Sequence, residues 1–447
     1  MTLPLTDRLN HLLNKKPISM HVPGHKNMTI GYLNELKMEM DMTEITGLDD
    51  LHQAEDVIGQ SMQHINKHPD YDAYFLVNGT TSGILAVIQS FAKVKGEYII
   101  ARNVHKSVFH ALDLARASSK LLKTSVSSKT KQYVGPDEVS LKTQVDKAKL
   151  AVFTYPNYYG ECFDVASTIK YMKACQIPTL IDEAHGAHFN LMGFPNSTLN
   201  MGADYVVQSY HKTLPSLTMS SIIFIHKKAP LREDILKYLT YFQSSSPSYL
   251  LMSSLELAHD FYKSYDSSLF FEKRSQLIKV LKDKGMRIID VEDPLKLNIQ
   301  CNGYTGIELQ TLFENQEIYV ELADDYQVLL VLPLWHKGDQ FPFDDLLARI
   351  SAINIETRVA FEVTDVPFYN EEGTYDYREI DKVKKIDIDK AYNKILATHL
   401  TPYTPGIPIM LRGEIITKNM IKLMNYWCNH QIRVEGMKDN KIEIKDE

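Results

Sequence analysis

The stretch YVVQSYHKTLPSLTMSSIIFIH (residues 205–226) decides the fold, because it holds two β-rich runs, YVVQSYH (205–211) and SIIFIH (221–226). The residues between these runs leave no room for a helix, so we expect one of the two strands to run antiparallel to its neighbours. Earlier runs of the same kind alternate with helical patterns: YFLV (74–77), YIIA (98–101), LLKT (121–124), AVFTYP (151–156) and TLIDEA (179–184). Continuous apolar strands separated by helices predict an α/β fold with a mostly parallel sheet covered by helices on both faces.

The pattern changes near residue 266, where a long amphipathic helix begins and a second, shorter β/α alternation follows. We therefore predict three parts: an N-terminal arm (1–45), a large domain (46–268) and a smaller C-terminal α/β domain (269–447). The highly charged segment YNEEGTYDYREIDKVKK (369–385) has few aliphatic residues. It is predicted to run over the surface.

Composition and charge bound the class of protein. The chain has 447 residues, of which 44% are hydrophobic and 23% charged, as is typical of a soluble globular protein. The net charge of -7 and the scattered Lys and Arg residues indicate no basic surface that would bind nucleic acid. The longest apolar runs, such as VLLVLPLW (328–335), are much shorter than the ~20 residues that span a membrane, so no membrane contact is expected.

Two further features indicate the compartment. Leu5, Leu9, Leu12 and Leu13 lie at helical spacing but are interrupted by charged residues, which favours an amphipathic docking helix over a signal peptide. The four cysteines lie far apart without a C-x-x-C pair, so neither a disulfide framework nor a zinc ribbon is indicated. We expect a cytoplasmic protein.

Polar residues at the carboxyl ends of the strands are candidate functional residues, because ligands of such sheets bind there. VNGTTSGI (77–84) closes a strand and opens a helix with Gly79, Thr80 and Thr81. Free backbone N–H groups, hydroxyls and the helix dipole would bind a phosphate. An ordinary capped strand-to-helix turn would have the same sequence pattern.

TLIDEAHGAHF (179–189) ends another strand and allows several interpretations. A DEAH nucleotide-hydrolase box would need a G-x-x-x-x-G-K-[ST] loop, which the chain lacks. A metal site of Asp182, His185 and His188 fits in residue type, yet no further cluster completes it. The remaining interpretations are a buried Asp182 carboxylate facing a cationic ring nitrogen, or a helix-capping aspartate.

Lys212 follows the next strand, together with Ser209 and His211. Desolvation at a buried strand end would lower the pKa of the lysine, as a Schiff-base lysine requires, although a surface lysine in a loop is also compatible. Pyridoxal phosphate chemistry on an aminotransferase-like sheet needs at least three features. They are a turn that binds phosphate, an aspartate that keeps a pyridinium protonated, and a lysine after a strand.

Further motifs run in one order over nearly the whole chain: HVPGHK (21–26), LDDLH (48–52), NGTTSG (78–83), RNVHKS (102–107), DEAHGAH (182–188), SYHK (209–212), SSSPSY (244–249), YVELAD (319–324) and PYTPGIPIMLRGEIIT (402–417). In these motifs the sequence resembles the Orn/Lys/Arg decarboxylases of pyridoxal-phosphate fold type I, in their short form without an N-terminal receiver-like domain. HVPGHK, RNVHKS and the PGIP-to-GEIIT tail are specific to that family.

The resemblance implies decarboxylation of a basic amino acid, lysine, arginine or ornithine, to the amine, as in polyamine biosynthesis. It implies that Lys212 carries the cofactor, that Asp182 pairs with the pyridine nitrogen and that His105 stacks on the ring. Glu321 would contact the distal cation of the substrate. The other cofactor contacts that it implies are Gly79, Thr80, Thr81, Ser209 and His211 on the phosphate side, and Ala184 and His185 on the ring side; no metal is expected.

SSSPSY resembles a segment that reaches the active site of a neighbouring subunit, which implies a homodimer with shared sites. The chain departs from the family at Pro215 and Met219, where relatives commonly carry a small residue and a glutamine. Two other functions stay open: an aminotransferase or lyase, for which Arg102 and Arg412 could clamp a carboxylate, and a catalytically weak regulatory relative.

Overall fold

A computed structural model describes residues 3–359, 367–375, 377, 380–402 and 406–446. The α-helices in this part of the chain are α1 (Pro4–Asn14), α2 (Val57–His64), α3 (Gly79–Ser90), α4 (Lys106–Ala115), α5 (Glu138–Gln144), α6 (Val165–Ala174), α7 (Tyr210–Thr213), α8 (Arg232–Phe242), α9 (Tyr249–Ser264), α10 (Ser268–Asp283), α11 (Gly306–Glu314), α12 (Phe343–Ala352) and α13 (Lys418–Asn429). The strands are β1 (Ile18–Met20), β2 (Tyr71–Leu76), β3 (Glu97–Ala101), β4 (Ser119–Leu122), β5 (Thr124–Val126), β6 (Tyr133–Pro136), β7 (Ala148–Thr154), β8 (Thr179–Asp182), β9 (Tyr205–Gln208), β10 (Ser221–His226), β11 (Met286–Ile289), β12 (Lys296–Cys301), β13 (Ile318–Val320), β14 (Leu322–Ala323), β15 (Val328–Val331), β16 (Gly373–Tyr375), β17 (Val383–Asp387), β18 (Thr401–Pro402), β19 (Val434–Glu435), β20 (Met437–Lys438) and β21 (Lys441–Lys445).

A sheet of eight strands forms the centre of the fold, in the order β16-β4-β3-β7-β8-β9-β10-β2. The strands β4, β3, β7, β8 and β9 pair in parallel, and β10 is antiparallel to both β9 and β2. All seven runs that the sequence predicts as strands contribute to this sheet, and the predicted antiparallel strand is confirmed as β10.

The short link between β9 and β10 explains the reversal of direction. It forms only the four-residue helix α7, and Pro215 ends that helix because the residue before a proline, here Leu214, is held in an extended conformation. The Pro215 ring packs against Gly31, where an added Cβ would lie 2.4 Å from it. The departure at Pro215 is therefore accommodated by a glycine on the N-terminal arm.

The eighth strand, β16, lies in the segment that the sequence predicts to run over the surface. It pairs antiparallel with β4 at the edge of the sheet, and Tyr375 is buried against Phe109 with ring centroids 5.6 Å apart. The strand lies largely on the surface, as predicted: Gly373 and Thr374 are exposed, and Tyr375 is buried through the apolar contact of its ring. Residues 376, 378 and 379 of the segment lie outside the described residues.

Several apolar clusters hold the described part of the chain together. One contains residues on α3, α4 and the adjoining face of the large sheet. The largest runs from Ile18 to Ile353 and joins the other face to the sheet β11-β12-β15-β14. A further cluster extends from Tyr369 to Ile444 around α13. The domain boundaries at 45/46 and 268/269 stay predictions.

The N-terminal residues form the predicted helix, α1, which buries none of its residues on this chain. Leu5, Leu9 and Leu13 are 74%, 51% and 57% exposed. What this helix docks against stays a prediction. Among the described residues, no helix is long and apolar enough to cross a membrane.

Candidate active site

The parallel strands deliver polar side chains to one edge of the sheet. Asp182 is the last residue of β8, Thr154 is the last residue of β7, and Lys212 lies in α7 directly after β9. A cavity of about 240 Å³ opens there, as the open-sheet rule predicts. Its lining consists of Thr80, Asn103, His105, Gln132, Tyr133, Thr154, Asn157, Tyr158, Tyr159, Asp182, Ala184, His185, Lys212 and Ile407.

The amine of Lys212 is held inside the cavity. Its Nζ lies 3.2 Å from Nε2 of His185. Burial lowers the pKa of Lys212, while the charges of Asp182 and Glu321 oppose that shift. The neutral, nucleophilic form of this amine is therefore more accessible than in a solvated lysine.

The carboxyl group of Asp182 is buried beside the same cavity. Its Oδ1 accepts a hydrogen bond of 3.2 Å from the N–H of Ala184. Burial raises the pKa of Asp182, and the charge of Lys212 opposes the shift. A cation that enters the cavity would favour the ionised carboxylate, so the group suits a cationic ring nitrogen.

The turn into α3 provides hydroxyl groups. The Oγ1 atom of Thr80 lies 3.3 Å from Oγ of Ser209, which connects the start of α3 with the end of β9. Gly79 has φ +74°, a conformation that favours glycine, and its N–H donates to the carbonyl of Met219 at 3.0 Å. Of the backbone N–H groups at this turn, that of Gly79 is therefore engaged by Met219, just before β10, instead of being free.

Two histidines flank the cavity region in neutral form. His105 caps α4, with its Nδ1 2.9 Å from Oγ of Ser107, and burial lowers its pKa to about 3. His211 does not line the cavity; its Nδ1 lies 3.0 Å from the carbonyl of Ser220, and burial lowers its pKa to about 4. Of the other predicted contacts, Ala184 and His185 line the cavity and Thr81 does not.

Glu321 lies between β13 and β14, one side chain away from the cavity. Its Oε2 accepts a 2.8 Å hydrogen bond from the N–H of Val22, and the hydroxyl of Tyr158 donates to its other oxygen. Burial favours the neutral acid, but the charge of Lys296 and these hydrogen bonds hold the pKa of Glu321 below its usual value. Glu321 itself lines an adjoining space of about 800 Å³.

The two spaces are connected by common walls. Gln132, Tyr133 and Tyr159 line both of them. Tyr158 lines the Lys212 cavity and contacts Glu321, so it separates the two. Lys212 and Glu321 therefore face neighbouring spaces with Tyr158 between them.

Sequence reasoning missed several side chains of the cavity. Asn157 and Tyr158 follow the strand AVFT directly, so the rule of strand ends, applied there, would have indicated them. Lys296, which does not line the cavity but contacts His185 of its wall, comes from the second sheet, and no local pattern marks it. Asn103 Oδ1 and Thr154 Oγ1 are buried and find no hydrogen-bond partner among the described residues, so the cavity wall retains polar capacity for a ligand.

The metal alternative gains no support from the geometry. His188 Nε2 lies 2.9 Å from Asp293 Oδ1, and both side chains are fully buried away from Asp182. Glu183 accepts from Ser197, Thr198 and Gln208 and so has a structural role. Across the described ranges, no group of three metal-type side chains comes together.

A buried lysine amine, a buried carboxylate at the next strand end and hydroxyls at a helix start fit the aldehyde, ring nitrogen and phosphate of pyridoxal phosphate. Fold and site thus define an aminotransferase-like pyridoxal-phosphate enzyme. Residues 3–293 match the family described as Orn/Lys/Arg decarboxylase, major domain, and residues 356–440 match its C-terminal domain. The chain belongs to the Orn/Lys/Arg decarboxylase family.

The chain is also similar to individual proteins over most of its length. The uncharacterized protein YaaO of Bacillus subtilis is 35% identical over 98% of this chain and 96% of its own length. An arginine decarboxylase of Bacillus subtilis is 27% identical over 99% of this chain and 96% of its own length. The structure of the constitutive lysine decarboxylase of E. coli has a TM-score of 0.69 at 15% identity, covering 100% of this chain and 82% of that one.

These findings confirm the resemblance on which the sequence interpretation was built. The fold is pyridoxal-phosphate fold type I, the cofactor is pyridoxal phosphate, and the protein is a pyridoxal-phosphate-dependent amino-acid decarboxylase.

Proposed function

We propose that this enzyme decarboxylates a basic amino acid, lysine, arginine or ornithine, to the corresponding amine and carbon dioxide. The observation that carries the proposal is Glu321, a buried acid with a lowered pKa, one side chain away from the cavity of Lys212. A hydrogen bond to such a charged group is worth ~1.5–3 kcal/mol, and an ammonium or a guanidinium could make it. The arginine decarboxylase of Bacillus subtilis, similar over nearly its whole length, supports the same substrate class.

We infer the residue roles from their positions around the cavity. Lys212 would hold the cofactor, Asp182 would keep a proton at its ring nitrogen, and His105 would cover its ring. When bound, pyridoxal phosphate supplies an electron-accepting ring for the charge that the departing carbon dioxide leaves behind. The phosphate would be held by Thr80, Thr81, Ser209 and His211, and Ala184 and His185 would contact the ring.

The chain's own groups account for the remaining steps. Tyr158 and Glu321 would orient the far end of the substrate, and the enclosed cavity would exclude water from the carboxylate that is lost. Lys212 in its protonated form, or a nearby histidine, would return a proton to the α-carbon.

The aminotransferase or lyase alternative needs an arginine that clamps a carboxylate. Arg102 Nη2 instead lies 2.5 Å from Glu414 Oε1, and Arg412 Nη1 lies 4.0 Å from Asp113 Oδ1. In the part of the chain that the structure describes, neither arginine lines the Lys212 cavity. This geometry favours decarboxylation.

We further propose a cytoplasmic homodimer with shared active sites. Ser244, Ser245 and Ser246 of the SSSPSY motif are exposed and are not part of the lining of this chain's own cavity. The exposed leucines of α1 offer an apolar stripe that a second subunit could cover. Residues 403–405 of the PYTPGIP motif lie outside the described residues.

The proposal is tested by incubating the purified protein with lysine, arginine and ornithine separately and identifying the products by mass spectrometry. Formation of an amine and carbon dioxide from one of them is expected. A keto acid would favour the aminotransferase alternative. Bound cofactor without any turnover would favour the regulatory relative.

The role of Lys212 has its own test. Lys212→Ala should lose the cofactor linkage that borohydride reduction fixes on the peptide containing residue 212, and should lose turnover with it. Peptide mapping of the reduced protein measures the linkage. A covalent cofactor adduct that persists in the variant would place the linkage on another lysine.

A further inference from the structure

His185 bridges Lys212, in the cavity, and the buried Lys296. Its Nε2 lies 3.2 Å from Nζ of Lys212, and its Nδ1 lies 3.1 Å from Nζ of Lys296. Lys296 is the first residue of β12 in the second sheet and is only 1% exposed. The cavity of Lys212 is thus coupled through one ring to a second amine.

Hydrogen-bond chemistry limits how many protons Lys212, His185 and Lys296 can hold together. A neutral imidazole has one donor and one acceptor nitrogen, an imidazolium has two donors, and an ammonium has donors only. Two ammonium groups therefore cannot both bond to the ring of His185. Burial holds the pKa of His185 well below its usual value, so the ring is neutral and one of the two lysines must be a neutral amine.

Several neighbours of Lys296 favour its charged form. Its Nζ lies 5.5 Å from the ring centroid of Tyr158, within the range of a cation–π contact. The carboxylates of Glu321 and Asp293 also favour its charged form. Burial, the largest effect, and the charge of Lys212 act in the opposite direction and lower the pKa of Lys296 to about 8.

Other charged groups complete the setting. Lys26, on the N-terminal arm, also interacts with Glu321 and repels Lys296, and burial lowers its pKa to about 7. Its Nζ donates to the carbonyl of Val331 at 2.8 Å and does not bond to His185. In the cofactor-free chain, the charges of Asp182 and Glu321 act on Lys212 itself and favour its ammonium form, against the effect of burial.

The backbone is built around the Lys296 side chain. Gly160 has φ +90°, and an added Cβ there would lie 2.6 Å from Cγ and 2.7 Å from Cβ of Lys296. Only glycine leaves room for the aliphatic part of this lysine at that turn. The turn at Gly160 therefore holds the aliphatic part of Lys296, and the contact with His185 holds its amine.

We propose that Lys296 is a positioning residue that acts through His185 to hold Lys212 as a neutral amine. Lys296 donates to Nδ1, so the ring proton resides on Nε2 and is donated to Nζ of Lys212. The inference rests on the proposed role of Lys212 as the amine that carries the cofactor.

The test measures the titration of Lys212 in the full-length chain after removal of the cofactor, by the pH dependence of its acetylation with trace acetic anhydride and peptide mass spectrometry. Lys296→Met should raise the midpoint for Lys212 by about one pH unit or more, because the ring is then free to present an acceptor to an ammonium. Lys149→Met is the matched control. Lys149 is also buried and lies 4.3 Å from the ring centroid of Tyr98, without a contact to His185, so its loss should leave the midpoint unchanged.

Repeating the Lys296 change in a chain without His185 distinguishes the hydrogen-bonded bridge through His185 from direct charge repulsion between Lys296 and Lys212. In a His185→Phe chain, the additional Lys296→Met change should shift the midpoint by less than a third of its effect in the chain with His185. An equal shift in both backgrounds, or no shift in either, would overturn the proposal.

A measurement on the unaltered chain covers the case of a variant that fails to fold. Nitrogen-15 NMR of labelled histidines should show His185 with its proton on Nε2. A proton on Nδ1 would overturn the proposal. Absence of any amine product from the unaltered enzyme would overturn the proposed function instead, and the NMR and titration readings do not depend on that assay.

Discussion

At the scale of single residues, Glu321 is the group through which substrate binding should be lost selectively. Glu321→Gln removes the negative charge but keeps the size of the side chain, so we expect KM for the preferred basic amino acid to rise about tenfold or more, with a small change in cofactor affinity. Steady-state kinetics and a cofactor titration measure the two effects. Glu314→Gln, at an exposed position on α11, is the control; unchanged kinetics in Glu321→Gln would move the substrate pocket elsewhere.

The candidate site could be predicted only in part at this scale. Asp182 and Lys212 follow from the rule that polar residues at strand ends meet at one edge of a sheet. His105 and Glu321 were indicated only by the family resemblance. Lys296 could not be found, because its link to His185 spans 111 residues and depends on how two sheets pack.

At the scale of elements, a buried ion pair connects the end of β3 with the C-terminal cluster. Arg102 and Glu414 are 4% and 10% exposed in their side chains. Removing one partner leaves a buried charge without compensation, so Arg102→Met should lower the free energy of unfolding by ~3 kcal/mol or more. Urea unfolding measures this loss.

The matching double change distinguishes a missing charge from missing packing. Arg102→Met combined with Glu414→Leu should recover part of the stability that the single change loses, since no unpaired charge is then buried. A double variant that is as unstable as the sum of both single variants would show that the two side chains act independently.

The elements themselves were predictable where the pattern is long and apolar. Seven strands of the large sheet and the reversal at β10 follow from runs such as SIIFIH and from the short link before it. The strand β16 was missed because three residues, GTY, carry no periodic signal. Its partner β4 lies some 250 residues earlier, and that pairing depends on the tertiary fold.

At the scale of the whole molecule, buried neutral histidines make stability depend on pH. Burial lowers the pKa to about 4 in His25 and His211, to about 3 in His105 and His259, and further below the usual value in His185. The unfolded chain binds protons near pH 6.5, whereas the folded chain does not until the pH falls to these lower values. The contribution is therefore fully present above pH 6.5 and is lost as the pH falls towards 4.

His259 offers the sharpest test, because it lies away from the cavity, with its Nδ1 3.2 Å from the hydroxyl of Tyr210. At pH 5 the depressed pKa of this one residue costs ~2 kcal/mol of stability relative to neutral pH. Buried acids with a raised pKa, such as Asp182 and Glu183, oppose the trend, so the comparison is made between variants.

His259→Phe should unfold more easily at pH 7, because it leaves the Tyr210 hydroxyl without this partner. Its free energy of unfolding, measured with urea, should nevertheless fall less steeply between pH 7 and pH 5, by the equivalent of one proton. An unchanged slope would mean that His259 takes up its proton without unfolding.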